Sequence, residues 1–217
     1  MFEDVLNTKT REVLSRIFAV VNSERFYMAG GTGLALQMGH RISEDLDFFK
    51  NISFDPELLL SRLKDQVSVI EDVTITRDTL LCLIEGAKYS FFSYDVPLLF
   101  PEIDYMDLKI ADWRDIIAEK VKTISQRGSK KDFYDIYYAI ITNRLSIKET
   151  VNLFKRRFGH TNLNFYHVLR SLTFFEDAEN EPDPQLTKEH FFQWEEVKAF
   201  FANRAKEFER NFTECVG

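Results

Sequence analysis

Net positive charge, abundant cysteine and long apolar runs are all missing from this 217-residue chain. The net charge of −7 at pH 7 excludes a whole-molecule electrostatic grip on nucleic acid, while leaving room for a local basic patch. The two cysteines, Cys82 and Cys215, form neither a disulfide framework nor a zinc-binding spacing. Cys82 sits in an apolar run and reads as a core residue; Cys215 lies in the C-terminal tail. No apolar stretch approaches the roughly 20 residues needed to span a bilayer, so no membrane partner is expected. The opening Met1-Phe2-Glu3-Asp4 is acidic and lacks an apolar signal core, which makes a cytoplasmic location the expectation. There is no internal repeat.

What is present is the profile of a globular protein, with 45% hydrophobic and 29% charged residues. The 21 phenylalanines predict aromatic-rich packing. Val5, Leu6, Val13, Leu14, Ile17, Phe18 and Val21 recur at helical spacing and predict an amphipathic helix over 4–22. Phe26 to Ala29 reads as a short strand, Thr32 to Met38 as a helix and Asp45 to Phe49 as a strand. A further helix is expected over Pro56 to Leu63, with proline in its first turn. Between 67 and 110 come aliphatic and aromatic runs, Val67–Ile75, Leu80–Glu85, Lys88–Tyr94 and Tyr105–Ile110, that predict consecutive strands. From Asp112 onward the spacing predicts helices over about 112–126, 130–142, 146–158, 162–175 and 188–210. The acidic, proline-containing Glu176–Pro184 segment reads as a loop. A domain boundary is expected near residue 110, dividing a mixed α/β domain, 1–110, from a helical domain, 111–217.

Two features of the segment from Ala29 to Phe49 point to chemistry. Gly30-Gly31-Thr32 leaves a strand and opens a helix. Glycine lets the backbone approach a ligand closely, and a helix N-terminus offers free N–H groups to phosphate. Asp45 and Asp47, separated by one residue on the expected strand, project from one face. Two adjacent carboxylates repel unless a cation lies between them or one takes a proton. Hard oxygen ligands beside a phosphate site suit Mg²⁺. An isolated Asp-x-Asp is more often a solvated strand edge, and it is the preceding Gly-Gly turn that shifts the balance.

Gly30-Gly31-Thr32, twelve further residues and then Asp45-Leu46-Asp47 resembles the signature of polymerase-β-type nucleotidyltransferases. The fuller string, with Gly39-His40-Arg41-Ile42-Ser43 and Asp45-Leu46-Asp47-Phe48-Phe49, resembles the AbiEii toxin group of abortive-infection toxin–antitoxin systems. The likeness resumes at Ala118-Glu119-Lys120 and at Arg127-Gly128-Ser129-Lys130-Lys131-Asp132-Phe133-Tyr134-Asp135, so it covers roughly 26–140. It implies an α+β fold: a polymerase-β-like core with a mixed sheet and flanking helices, followed by an all-helical C-terminal domain. It implies that Asp45 and Asp47 bind Mg²⁺, that Gly30, Gly31 and Thr32 cradle the phosphates of an NTP substrate, and that Lys120 is directed at the nucleotide. Arg41 touches phosphate or is a plain surface arginine; His40 has no partner motif and reads as structural. The resemblance further implies an RNA acceptor, such as a tRNA 3′ end, or a protein acceptor, and a cognate antitoxin. One departure stands out. Active enzymes of the polymerase-β type carry a third carboxylate on a neighbouring strand, and here Ser90 aligns with it. Asp95, Asp104 and Asp107 are the substitutes in sequence. Ser90 keeps a rival reading open, a nucleotide-binding pseudoenzyme or interaction module.

The helical half carries the remaining candidates. Lys120 falls within the apolar stripe of Trp113, Ile116, Ile117, Val121 and Ile124, so it snorkels to solvent or meets an anion. Asp132 and Asp135 fall outside the next helix's stripe and by spacing are solvated, with Asp135 free to pair with Lys131 at i, i+4. By resemblance Lys131, Asp132 and Asp135 belong to the nucleotide site. Lys155-Arg156-Arg157 is either a solvated helix end or an RNA-phosphate contact.

Overall fold

The computed structural model describes residues 1–142, 144–187 and 192–214. Its contacts divide the chain into two compact units, Met1–Trp113 and Arg114–Gly217.

The first unit opens with a 3₁₀ turn at Glu3–Val5, which delays the helix expected from residue 4. Helix α1 (Thr8–Ser23) starts where the Asn7 side chain accepts the Thr10 amide at 2.8 Å, satisfying one of the donors a helix start leaves over. Strand β1 (Tyr27–Met28) runs into helix α2 (Gly30–Met38), followed by strand β2 (Leu46–Lys50). Helix α3 (Pro56–Lys64) is capped by Asp55 and carries Pro56 in its first turn. Strands β3 (Ile70–Thr76), β4 (Thr79–Ile84) and β5 (Ala87–Ser93) form an antiparallel meander. The single strand expected over Tyr105–Ile110 is a hairpin, β6 (Ile103–Tyr105) and β7 (Leu108–Ile110), turning at Met106 with φ +52°.

The seven strands form one mixed sheet in the order β3-β4-β5-β2-β1-β7-β6. Its centre is built from sequence-distant strands: β2 pairs parallel with β5, and β1 pairs antiparallel with β2 and parallel with β7. One core cluster joins Leu46, Phe48, Leu80, Cys82, Tyr89 and Phe91 of the sheet to Val13, Leu14 and Ile17 of α1. Phe48 and Phe91 stack at 5.1 Å, both fully buried; each such side chain contributes about 1.5–3 kcal/mol by leaving water. Cys82 is buried, as its apolar surroundings predict.

The second unit is helical: α4 (Trp113–Arg127, its first residue closing the first unit), α5 (Lys130–Ile141), α6 (Ile147–Phe158), α7 (Phe165–Ser171), α8 (Glu176–Glu179), α9 (Trp194–Asn203) and α10 (Ala205–Thr213). A capping box, Ser146 with Glu149, starts α6. The expected loop at 176–184 contains the single turn α8. The helix expected over 188–210 is two helices divided at Arg204, whose φ −99° and ψ 5° leave the helical region; residues 188–191 of that expectation, like Cys215, lie outside the described residues. The phenylalanine content is spent on packing: Phe133 meets Phe175, Trp194 and Phe201 at 5.3–5.7 Å, and Phe154 meets Phe158, Phe165 and Phe212 at 4.9–5.6 Å. Among the described residues no helix is long and apolar enough to cross a membrane.

Candidate nucleotide site

The Gly-Gly turn is shaped by what packs against it. Gly30 has φ +60°, a conformation that strains residues bearing a Cβ. A Cβ there would lie 2.3 Å from Asp47 Oδ2. A Cβ on Gly31 would lie 2.4 Å from Arg41 Nη2 and 3.3 Å from Ser43 Oγ. The two glycines therefore leave room for a carboxylate and a guanidinium against the start of α2. There the amides of the first turn have no acceptor within the helix. The Ala29 amide donates to the Asp47 carbonyl at 2.9 Å, fixing the turn to β2. The Thr32 side chain is fully buried. Its hydroxyl lies 2.8 Å from Ser43 Oγ and donates to the Asp45 backbone carbonyl.

Asp47 lies within β2 and is half-buried, while Asp45 immediately precedes the strand and is exposed. Strand alternation thus orients Asp47 alone. The main chain at Asp45 is held by Thr32. Arg41 is only 2% exposed and donates to the Ile42 carbonyl at 3.2 Å, so it is not a surface arginine. His40 is likewise buried.

The register pairs Asp47 with Ser90 across β2 and β5, and Ser90 is 2% exposed. None of the sequence substitutes for a third carboxylate stands beside Asp47. Asp95 is exposed beyond the end of β5. Asp104 sits on β6, three strands from β2, about 14 Å at a strand spacing near 4.8 Å, and pairs at 2.6 Å with Lys109. Asp107 is in the β6–β7 turn. Their nearness in sequence misled because β7 joins the sheet beside β1, on the far side from β5. Among the described residues no group of three His, Cys, Asp or Glu side chains is arranged to hold a metal ion.

The second unit gathers three of the other candidates, Lys120, Asp132 and Asp135, into one buried cluster. Lys120, 4% exposed, places Nζ 2.5 Å from Asp132 Oδ1 and 2.9 Å from Asp135 Oδ2. Asp132 also accepts from Arg127 Nε at 3.0 Å and from the Thr123 hydroxyl at 3.0 Å. Burial alone would raise the Asp132 pKa, but the charges of Lys120 and Arg127 outweigh it and hold the carboxyl below its usual range. Asp132 and Asp135 are fully buried, which overturns the solvated reading. The physical reason is that α5 is packed on several sides, burying Lys130, Asp132, Phe133, Tyr134, Asp135 and Ile136 in succession. Asp135 is bound by Lys120, while Lys131 is exposed. Lys155-Arg156-Arg157 is corrected in the same way. Arg157 is buried on Asp115 at 2.8 Å, and Lys155 donates to the carbonyls of Asn211 and Glu214 at the end of α10, both at 2.6 Å. Only Arg156 is exposed. The residues that spacing passed over are Ser43 and Thr123. Each is a small hydroxyl, and its part in these networks had no signal beyond its nearness to Asp45 or Lys120.

The family description "nucleotidyl transferase AbiEii toxin, type IV TA system" matches residues 12–110 and 86–203. An uncharacterised protein of Aquifex aeolicus (strain VF5) is 37% identical over 210 residues, spanning 95% of this chain and 98% of that one. The fold is similar to that of JHP933 from Helicobacter pylori, with TM-score 0.53, 15% identity and coverage of 95% of this chain and 94% of that one. A second Helicobacter pylori structure gives TM-score 0.54 and 15% identity over 94% and 95% of the two chains. By the family match, which spans most of its length, the chain belongs to the AbiEii nucleotidyl transferase toxin family.

Proposed function

We propose that the chain transfers a nucleoside monophosphate from an NTP to a hydroxyl of an RNA, such as a tRNA 3′ end, or of a protein. The observation that carries this reading is the packing of Gly30 on the Asp47 carboxylate, which sets the free amides of α2 beside the Asp45–Asp47 pair. In the reaction the acceptor hydroxyl gives up its proton to water as its oxygen bonds to the α-phosphorus, the bond to the β-phosphate oxygen breaks, and pyrophosphate leaves. The amides of Gly30, Gly31 and Thr32 bind the phosphates, with the positive end of the α2 dipole adding to their pull. Arg41, buried against Gly31, adds a cation to that turn. Two carboxylates completed by substrate oxygens and water are an ordinary donor set for Mg²⁺, so Asp45 and Asp47 would hold it; when bound, the ion neutralises charge on the triphosphate. The biological setting is a two-gene module with a cognate antitoxin.

Incubation with each α-radiolabelled NTP, Mg²⁺ and total RNA tests this. Label is expected on RNA or on protein, and is expected to vanish in Asp47→Ala. Ser90, opposite Asp47 where a third carboxylate is expected, favours a second reading: a module that binds nucleotide and acts by interaction. Saturable NTP binding with no label transferred to RNA or protein would select it.

A further inference from the structure

The hydroxyl of Thr32 does not face the helix opening where a phosphate would bind. It is fully buried, turned back to the Asp45 carbonyl and held against Ser43. A threonine hydroxyl has one proton; given to the Asp45 carbonyl, it leaves the Thr32 oxygen to accept from Ser43. Asp45 itself lies just outside β2. We infer that Thr32 is a positioning residue for Asp45: its hydroxyl ties the phosphate-binding turn to the first carboxylate. Binding phosphates on α2 and holding a cation at Asp45 are then one preorganised arrangement. The inference rests on the assignment of Asp45 and Asp47 as cation ligands.

The geometry supports this link from both ends. The Ala29 amide, just before the Gly-Gly-Thr segment, fastens the same turn to the Asp47 carbonyl at 2.9 Å, so the turn holds the main chain at both aspartates. The Ser43 amide donates to the Val5 carbonyl at 3.2 Å, which anchors the connection independently of Thr32. Loss of the Thr32 hydroxyl therefore frees Asp45 while leaving Asp47, Ser43 and the sheet in place.

The test is titration with Mn²⁺ alone, with free ion read by electron paramagnetic resonance, on wild type, Thr32→Val, Thr32→Ser, Ser43→Ala and the double variant Asp45→Asn/Asp47→Asn. Thr32→Val is expected to weaken Mn²⁺ binding by about tenfold, the worth of one hydrogen bond whose acceptor is left unsatisfied. Thr32→Ser keeps the donor and is expected to restore binding to within about twofold, and Ser43→Ala, which leaves that donor in place, is expected to do the same. Wild-type affinity in Thr32→Val, or an equal loss in Thr32→Ser, overturns the positioning role while leaving the cation site standing. Should Thr32→Val fail to fold, the serine variant still decides, because a tenfold loss there cannot come from the hydroxyl. If the double variant binds Mn²⁺ as wild type does, the cation-site reading itself falls and this inference falls with it.

Discussion

Two regions of the molecule hold paired aspartates and treat them in opposite ways. At the start of β2, Asp45 is exposed and Asp47 half-buried, beside a helix start whose amides are open. Between α4 and α5, Asp132 and Asp135 are fully buried, with Lys120 against both and Arg127 against Asp132. The first pair stands where a strand begins, with one member exposed; the second is enclosed, with a lysine bonded to both carboxylates. A carboxylate pair in sequence is therefore not yet a metal site. What separates the two is how far the chain encloses them.

The sharpest way to break this contrast is to remove the internal cation. Lys120→Met keeps the apolar stem but leaves two buried carboxylates without their lysine, and breaking a buried pair costs about 3–5 kcal/mol. An unfolding free energy lowered by that amount is expected in a denaturant titration; an unchanged value would mean that the cluster is not structural. Next, Gly30→Ala places a Cβ against Asp47 Oδ2 in left-handed backbone. A loss of at least about 1–2 kcal/mol is expected from the backbone alone, together with lost NTP binding in a titration.

Acid sharpens the same contrast. Asp132 has a native pKa below that of the unfolded chain, so the native state binds its proton less readily. The stability it adds is complete above the unfolded value, about pH 4, and is lost as pH falls through the native value. Urea unfolding measured from pH 6 down to pH 2 is expected to show this loss in wild type. A flatter profile is expected in Asp132→Asn. The smallest effect on stability belongs to Asp45→Ala. It removes an exposed charge and one source of repulsion, so the melting temperature is expected to hold or rise slightly, while Mg²⁺-dependent nucleotide binding disappears.

The sequence revealed what depends on local backbone chemistry. Gly30 and Gly31 could be read because a turn that admits a carboxylate and a guanidinium has no room for a Cβ. Ser90 could be placed because strand spacing carries register, and it stands opposite Asp47. The buried ion pairs were not legible. Helical periodicity reports one apolar stripe, and α5 is packed on several sides, so Asp132 and Asp135 looked solvated. Arg157 and Lys155 failed for a related reason: their partners, Asp115 and the end of α10, are 42 and 56–59 residues away. The order of strands was hidden too, since nothing near Asp104 in sequence says that β7 inserts beside β1.

That insertion has a consequence for biosynthesis. Strand β1 holds only Tyr27 and Met28, and one of its two neighbours is β7, with Tyr27 against Lys109 and Met28 against Ile110. The β3–β4–β5 meander can form from adjacent residues as they leave the ribosome. The strand that leads into the Gly-Gly turn must wait for residues near 110 to close the sheet around it, and such distant pairings form slowly. A nascent chain halted before that point carries the whole Gly-Gly-Thr and Asp-x-Asp sequence without the sheet that aligns it.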